Sequence, residues 1–265
     1  MGKSTKDQRD HYYRQGKQEG YRARSAYKLL HLDEQYGILG GSHSLADSTA
    51  LGSLLHLECA ELRKSRPPVC VLDLCAAPGS WSQVLSRTLS GARIVAVDLQ
   101  SMAPVPGVVQ IVGDITTQET TDAIRDALEH AAAPDACGGG AGVDLVVCDG
   151  APDVTGIAPL DEYVQSQLLL AAVSMATQTL RVGGTFVAKV FVQPGSESAR
   201  LLVAQLRREY AHVELAKPRS SRASSAEHFV VCLGFVGVQA HHKYAFLGDL
   251  AGYNYARGSS TANVR

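Results

Sequence analysis

The segment VCVLDLCAAPGSW, residues 69–81, decides the fold. Its first half, from Val69 to Cys75, is a continuous apolar run, which is typical of a strand buried on both faces. Its second half consists of small residues and a Pro-Gly pair, and it leads into a helix-like run from Ser80 to Ser90. The segment therefore predicts a strand, a tight loop and a helix, which is the repeating unit of an α/β sheet.

The same alternation of strand and helix continues along the chain. Further apolar runs predict strands at Arg93–Leu99, Val108–Asp114, Val143–Asp149, Thr185–Phe191, His212–Ala216 and Phe229–Phe235. Helix-like segments lie between them at Thr117–Ala133, Asp161–Leu180 and Ser196–Tyr210. This order predicts an α/β, Rossmann-like fold with a doubly wound, seven-stranded, mostly parallel sheet and helices on both faces. We expect Gly183-Gly184 to end the helix at Asp161–Leu180 as a C-cap.

The domain organisation follows from length and composition. The chain has 265 residues with 45% hydrophobic and 19% charged content, which excludes a disordered or fibrous protein. We expect residues 1–235 to form a single domain and residues 236–265 to form a C-terminal tail. Within the domain, residues 1–36 are predicted to form a basic N-terminal arm and a helix over Arg22 to Tyr36, and residues 40–66 an insertion.

The N-terminal arm is the strongest charge feature, because the whole chain has a net charge of only −1. Residues 1–28 contain eight basic and three acidic side chains, a local net charge of +5. Four tyrosines are interleaved with these charges: Tyr12, Tyr13, Tyr21 and Tyr27. Basic groups neutralise phosphates and aromatic rings stack on bases, so the arm suits nucleic acid better than a membrane. A solvated amphipathic arm fits the composition equally well.

The cysteines and the apolar segments indicate in which cellular compartment the protein acts. Six cysteines show no paired spacing, and most lie in apolar runs, which predicts buried free thiols, a reducing compartment and no metal site. The start of the chain has no apolar signal segment, and no stretch is long enough to span a bilayer. We therefore expect a cytoplasmic protein that does not associate with membranes.

Four predicted strands carry a carboxylate at or near their carboxyl ends, namely Asp73, Asp98, Asp114 and Asp149. Ligands of open α/β sheets bind at this edge. Buried strands rarely carry carboxylates unless something pairs with them. One such residue could cap a helix, but four at corresponding positions predict a ligand site.

The loop after the first predicted strand limits which class of ligand the site can bind. It contains only Gly79, whereas a dinucleotide-binding loop needs three glycines to approach a pyrophosphate, which disfavours an NAD-dependent oxidoreductase. Asp98 follows Gly79 by 19 residues, the offset at which a carboxylate binds ribose hydroxyls. S-adenosylmethionine fits, with its ribose at Asp98, its adenine amino group at Asp114 and its cationic methionine end near the other two carboxylates. The predicted donor-binding residues are Asp73, Gly79, Ser80, Trp81, Asp98, Asp114 and Asp149.

The methyl acceptor is not fixed by this loop. RNA cytosine-C5 methyltransferases also contain an AAPG loop, but they use a cysteine in a Pro-Cys pair, which this chain lacks. The fourth strand ends in CDGAP, residues 148–152, which differs from the Asn/Asp-Pro-Pro-Tyr sequence of amino-group methyltransferases. Cys148 is most simply a small core residue.

Four positions spread along the chain resemble the FtsJ-type ribose 2′-O-methyltransferases, whose hallmark is a Lys-Asp-Lys-Glu tetrad. Lys28 lies in SAYKL, Asp149 in CDGAP, Lys189 in FVAK and Glu227 in SSAE. The resemblance covers roughly Lys6 to Phe235. It implies a Rossmann-like methyltransferase fold, S-adenosylmethionine as the donor and a ribose hydroxyl of RNA as the acceptor.

Within this family the chain resembles most closely the eukaryotic tRNA branch, through DLQSMAP at 98–104, VTG at 154–156 and AKPRSSR at 216–222. That resemblance implies methylation of the wobble nucleotide and nucleotide thirty-two of the anticodon loop, each with an auxiliary protein that selects the nucleotide. The ribosomal RNA branch is the alternative. A catalytically inactive RNA-binding subunit is a second alternative, which the complete tetrad disfavours.

The resemblance and the chemistry of the reaction together assign roles. A ribose hydroxyl is a poor nucleophile, so we expect Lys189 to act as the base and Lys28 to assist it and hold the substrate. Asp149 would position the donor, and Glu227 would orient a lysine. The alternative is a purely electrostatic Lys189. The residues predicted to dock RNA are those of the arm together with Lys217, Arg219 and Arg222, and their removal is expected to leave donor affinity unchanged.

Overall fold

The computed structural model describes residues 5–40, 67–130, 142–152, 158–222 and 225–237. The predicted insertion at 40–66, the VTG segment at 154–156 and the predicted tail at 236–265 lie almost wholly outside these residues. No helix in the described ranges is both long enough and apolar enough to cross a bilayer. Four of the six cysteines are described, all as free thiols, and Cys70, Cys148 and Cys232 are buried as predicted whereas Cys75 is half-buried.

The core is one seven-stranded sheet, which confirms the predicted fold class. Its strands are β1 (Cys70–Leu74), β2 (Arg93–Asp98), β3 (Val108–Val112), β4 (Val143–Cys148), β5 (Leu180–Phe191), β6 (Tyr210–Ala216) and β7 (Glu227–Phe235). They are arranged in the order β3-β2-β1-β4-β5-β7-β6. The first five strands in this order are parallel, and β7 is antiparallel to both of its neighbours.

Helices cover both faces of this sheet, again as predicted. They are α1 (Thr5–Gln18), α2 (Ala26–Tyr36), α3 (Ser80–Thr88), α4 (Gln118–His130), α5 (Ala158–Thr179) and α6 (Glu197–Leu206). Side chains of α2 and α3 form one apolar cluster with one face of the sheet. Side chains of α4, α5 and α6 form a second cluster with the opposite face. The sheet is therefore buried on both sides, which explains its continuous apolar runs.

Strand alternation determines which face each site residue occupies. In β1, Cys70, Leu72 and Leu74 pack toward α4, α5 and α6, whereas Val71 packs toward α2 and α3. Asp73 shares the face of Val71 because successive side chains point to opposite sides. The carboxylate predicted at the end of β1 thus lies beneath α3, on the side of the sheet that α2 also covers.

Two sequence predictions about the N-terminal region need correction. Residues Thr5–Gln18 form the helix α1, which the sequence did not reveal because this stretch is mostly polar and lacks an apolar stripe. The predicted helix over Arg22 to Tyr36 begins only at Ala26. Arg22 therefore lies in the connection between the two helices.

The prediction that Gly183-Gly184 caps a helix is wrong. The helix α5 ends at Thr179, and the chain enters β5 at Leu180, so both glycines lie inside this strand. Gly183 has a positive φ of 83°, and the pairing of β4 with β5 shifts register between Val143 and Leu145. A Cβ atom on Gly184 would lie 2.9 Å from the carbonyl oxygen of Arg181. The glycines therefore permit an irregular start of β5 rather than a helix end.

Candidate active site

The structure brings the four predicted tetrad residues into one cluster, with Asp149 at its centre. The Lys28 Nζ donates to Asp149 Oδ1 at 3.2 Å and to Glu227 Oε2 at 2.8 Å. The Lys189 Nζ donates to the main-chain oxygen of Asp149 at 2.6 Å and lies 3.2 Å from its Oδ1. Their side chains are only 8% to 14% exposed. Two lysines are thus held beside two carboxylates in a largely water-excluded position.

The pairing of β5 with β7 places Lys189 and Glu227 together. Lys189 lies opposite Phe229, and Phe191 lies opposite Glu227, so these side chains occupy the same face of the sheet. The helix α2 packs on that face and brings Lys28 to it. The Lys28 Nζ lies 5.6 Å from the centre of the Phe229 ring, which adds an aromatic face to its environment.

Glu227 is held as a carboxylate by its neighbours. Burial alone would raise the pKa of Glu227, but the charge and hydrogen bond of Lys28, the hydrogen bond of Ser221 and the charge of Lys189 lower it below its usual value. The Ser221 hydroxyl donates to Glu227 Oε1 at 2.7 Å, while Lys28 binds the other oxygen. Glu227 is therefore suited to fix the direction of Lys28.

The chain after β6 is anchored to α2, and this bears on the residues predicted to dock RNA. The Ser220 N–H donates to His31 Nδ1 at 3.2 Å, and Arg219 pairs with Glu34 of α2. The Lys217 Nζ donates to the carbonyl oxygen of Ser225 at 2.6 Å. Arg219 and Lys217 thus hold the segment that carries Ser221, in addition to any contact with RNA.

The two loops that form the predicted donor pocket meet at Asp98, the last residue of β2. Asp98 Oδ2 accepts from the Ala77 N–H at 2.9 Å, and Oδ1 accepts from the Gln100 N–H at 2.8 Å. One carboxylate therefore joins the β1–α3 loop to the chain after β2. Asp114 was predicted to end β3, but this strand ends at Val112 and Asp114 lies two residues beyond it. Its Oδ1 accepts from the N–H and hydroxyl of Thr116, and it organises the turn before α4.

Asp73 lies deeper than the sequence suggested. It is 1% exposed, and the Ser82 hydroxyl donates to its Oδ2 at 2.6 Å. Burial raises the pKa of Asp73 to about 7, and the nearby charges of Asp149 and Asp98 add to the rise, while the hydrogen bond from Ser82 opposes it. Three carboxylates therefore influence one another at this edge of the sheet, which favours a ligand that carries positive charge.

The side chains of Ser80 and Trp81 turn away from the predicted pocket and toward the start of α2. The hydroxyls of Ser80 and Ser25 share a hydrogen bond of 2.6 Å. The Trp81 indole N–H donates to the Ser25 carbonyl oxygen at 2.9 Å, and its ring stacks on Phe229 at 5.6 Å between centroids. Any contact of these two residues with a donor is therefore left to their main chain.

Arg22 contacts both loops of the predicted donor pocket, a role that sequence reasoning did not identify. Its Nη1 donates to the carbonyl oxygens of Pro78 at 3.0 Å and Ala103 at 2.7 Å, and its Nη2 donates to that of Pro104 at 2.9 Å. One guanidinium group thus joins the β1–α3 loop to the chain after β2. Gly79 makes room for it, because a Cβ atom there would lie 2.6 Å from Nη1. Main-chain acceptors leave no mark in a sequence, which is why this role escaped prediction.

The buried carboxyl group of Asp73 leads to a prediction about stability. Its pKa is raised in the folded chain, so from about pH 4 to pH 7 the folded state binds a proton that the unfolded state has lost, and stability falls with rising pH. Asp73→Asn keeps the acceptor for Ser82 without the charge. We expect this variant to be more stable than the unaltered chain at pH 8, by a few kcal/mol at most.

Urea denaturation at several pH values checks this prediction. The stability difference should vanish below about pH 4, where the carboxyl group is neutral in both states, and reach its maximum above pH 7. Ser82→Ala is a useful comparison, because it removes the hydrogen bond and leaves the buried charge. A constant difference between the Asp73→Asn variant and the unaltered chain across this range would contradict the assignment.

The architecture is that of a Rossmann-like methyltransferase. It is defined by the strand order, in which an antiparallel β7 lies between β5 and β6, and by the carboxylates at the ends of β1, β2 and β4. The chain belongs to the FtsJ-like methyltransferase family, whose model matches residues 21–235. A ribosomal RNA methyltransferase structure from Plasmodium falciparum has the same fold, with a TM-score of 0.60 and 24% identity. The match covers 82% of this chain and all of that one.

Two curated relatives show how similarity is distributed within the family. A mouse tRNA (cytidine(32)/guanosine(34)-2′-O)-methyltransferase is 47% identical over 238 residues, covering 89% of this chain and 61% of the relative. A ribosomal RNA large subunit methyltransferase E from Methanothrix thermoacetophila is 38% identical over 227 residues, covering 86% of this chain and 73% of the relative. The chain thus spans about three fifths of the length of the mouse relative.

Proposed function

We propose that this chain transfers a methyl group from S-adenosylmethionine to ribose 2′-hydroxyls of tRNA, at the wobble nucleotide and nucleotide thirty-two of the anticodon loop. The cluster of Lys28, Asp149, Lys189 and Glu227 beside the predicted donor pocket carries this proposal. The name and 47% identity of the mouse relative support tRNA and the two positions. The ribosomal RNA alternative has weaker support, since the relative of that type has 38% identity.

The pocket suits S-adenosylmethionine, which supplies a methyl group activated by a positively charged sulfur. The carboxylates of Asp73, Asp98 and Asp149 concentrate negative charge where that cation and the amino group of the methionine end would lie. Asp98 would also hold the ribose hydroxyls of the donor, and Asp114 its adenine amino group. Main-chain N–H groups of Gly79, Ser80 and Trp81 would complete the site.

The lysines perform the acceptor chemistry in this proposal. The 2′-hydroxyl must lose its proton as it attacks the methyl group, and the Lys189 amine would receive that proton. The 2.6 Å hydrogen bond from Lys189 Nζ to the main-chain oxygen of Asp149 fixes the direction of the side chain. A neutral amine and an ammonium group both make this bond. Lys28, fixed between Asp149 and Glu227, would hold the ribose against Lys189.

The N-terminal arm contributes to RNA binding in this proposal, but its aromatic residues are not equivalent. Tyr12 packs against Tyr27 at 5.3 Å and against His31 at 5.6 Å, so it joins α1 to α2. Tyr13 is 51% exposed, and Lys17 Nζ lies 4.8 Å from its ring centre. Tyr13 and Lys17 therefore offer a stacking surface and a charge to RNA, and the exposed Arg222 adds a charge near the tetrad.

The proposal includes an auxiliary protein that selects the nucleotide, and action in the cytoplasm. The family resemblance supports the auxiliary protein.

Labelled S-adenosylmethionine offered with total tRNA, with and without candidate partner proteins, tests the whole proposal. Label on the 2′-oxygens of positions 32 and 34 is the expected result. Label on a base excludes the ribose reaction. A parallel reaction with ribosomal RNA tests the alternative, and label there but none on tRNA excludes tRNA. Donor binding without transfer to either RNA supports an inactive RNA-binding subunit.

Arg22 leads to a prediction about donor affinity that differs from the expectation drawn from sequence. Because its guanidinium group joins the two loops of the pocket, Arg22→Met should raise the donor Kd roughly tenfold. Arg22→Lys should give an intermediate donor Kd, since an ammonium group cannot reproduce the planar set of N–H donors of a guanidinium group. Part of the predicted RNA-docking arm is therefore expected to affect donor affinity. Calorimetric titration with S-adenosylmethionine measures the effect.

The matched control for Arg22 is Arg200→Met. Arg200 is an exposed arginine on α6, on the opposite face of the sheet, so the same chemical change there should leave donor affinity unaltered. A donor Kd for Arg22→Met within twofold of the unaltered chain would contradict the role of Arg22. Melting temperatures of both variants separate loss of the pocket from loss of the fold.

A further inference from the structure

Phe191 is an exposed aromatic residue beside the tetrad. It is the last residue of β5, and its side chain is 45% exposed. Strand alternation places it on the same face as Lys189, and its ring centre lies 6.0 Å from Lys189 Nζ. Across the strand pair it lies opposite Glu227. Phe191 thus presents an apolar ring to solvent at the edge of a site made of charged groups.

The chemistry of the acceptor places a nucleobase near this ring. If Lys189 receives the proton, the reacting 2′-oxygen lies about 3 Å from its Nζ during transfer. The ribose carbon that bears this oxygen is bonded to the carbon that bears the base, so the base of the same nucleotide lies only a few bonds away. A ring centred 6.0 Å from Nζ is within reach of that base.

We propose that Phe191 is the stacking surface for the base of the nucleotide that is methylated, an inference that rests on the proposed ribose reaction. The mouse relative is named for both a cytidine and a guanosine, whose hydrogen-bonding edges differ. Stacking tolerates both, because every base has a π face, whereas hydrogen bonds to the base edge would favour one of them. An aromatic side chain is therefore the kind of contact that a two-base substrate range requires.

The test combines enzyme variants with altered RNA. The enzymes are the unaltered chain, Phe191→Leu, which is apolar but cannot stack, and Phe191→Trp, which can. Each enzyme is assayed on two tRNAs. One has an intact target nucleotide, and the other has an abasic target nucleotide, which keeps the ribose and its 2′-hydroxyl but lacks the base. Phe191→Leu should lower kcat/KM for intact tRNA by roughly five- to 100-fold. On the abasic tRNA, Phe191→Leu and the unaltered chain should have the same kcat/KM. On both substrates, the kcat/KM of Phe191→Trp should stay close to that of the unaltered chain.

Val182→Ala is the matched control, because Val182 is an equally apolar residue of β5, 70% exposed, near the opposite end of the strand. It should change neither substrate's kinetics. Two results would overturn the inference: no loss with Phe191→Leu, or an equal loss on intact and abasic tRNA, which would mean that Phe191 only supports Lys189. If the unaltered chain methylates no ribose although it binds the donor, the proposed function fails and the inference falls with it.

Discussion

Lys189→Ala is expected to abolish methyl transfer, with a single-turnover rate at least about 10³-fold lower, while the donor Kd changes by no more than about twofold. The large effect follows if Lys189 both receives the proton and defines the position of the ribose hydroxyl. Donor binding should survive, because Asp98 and the loops joined by Arg22 do not depend on Lys189. Rapid-quench measurements with labelled donor and tRNA give the rate.

The matched variant Lys189→Arg separates a base from a fixed positive charge. A guanidinium group keeps the charge but does not give up its proton in proteins, so it cannot serve as the base. Loss of transfer in both variants is the result expected for a base. High activity with Lys189→Arg would instead support the purely electrostatic role, and near-normal turnover with Lys189→Ala would exclude any central role for this lysine.

The sequence predicted the sheet well because the strands that form it are buried on both faces. Continuous apolar runs mark such strands, and the predicted bounds of β1, β2 and β4 differ from those of the structure by at most one residue at each end. The carboxylates Asp98 and Asp149 could be placed at the ends of their strands for the same reason. The identity of the tetrad, by contrast, came from family resemblance, and only the structure shows its contacts.

The remaining features depend on contacts between distant segments, which no local pattern encodes. Lys28 is 9% exposed and is directed to Asp149 and Glu227, which lie 121 and 199 residues away. A buried lysine is stable only where such partners exist. Arg22 binds main-chain oxygens, and the polar α1 packs through Tyr12, so neither shows a pattern in sequence.

Asp149→Asn is expected to have the second large effect, because this carboxylate contacts both lysines. The variant should lose at least about 10³-fold in transfer rate, and its free energy of unfolding should fall by about 3 kcal/mol. The amide is similar in shape, but it removes the charge that balances Lys28 and brings its own N–H donors toward the Nζ atoms of Lys28 and Lys189. Donor affinity should also fall, since Asp149 contributes to the charge around Asp73. Urea denaturation and the single-turnover assay measure these effects.

Glu227→Gln is the matched comparison, since Glu227 accepts a hydrogen bond from Lys28 but none from Lys189. Its losses in stability and rate should be smaller than those of Asp149→Asn, because Lys28 retains Asp149 as a partner. The double variant Lys28→Met with Asp149→Asn should regain part of the lost stability, because one unbalanced ammonium group is removed with the carboxylate. The contrary result is additivity: the double variant would lose, relative to Asp149→Asn, the same free energy of unfolding that Lys28→Met loses relative to the unaltered chain. In that case the two residues act independently and Asp149 does not balance this lysine.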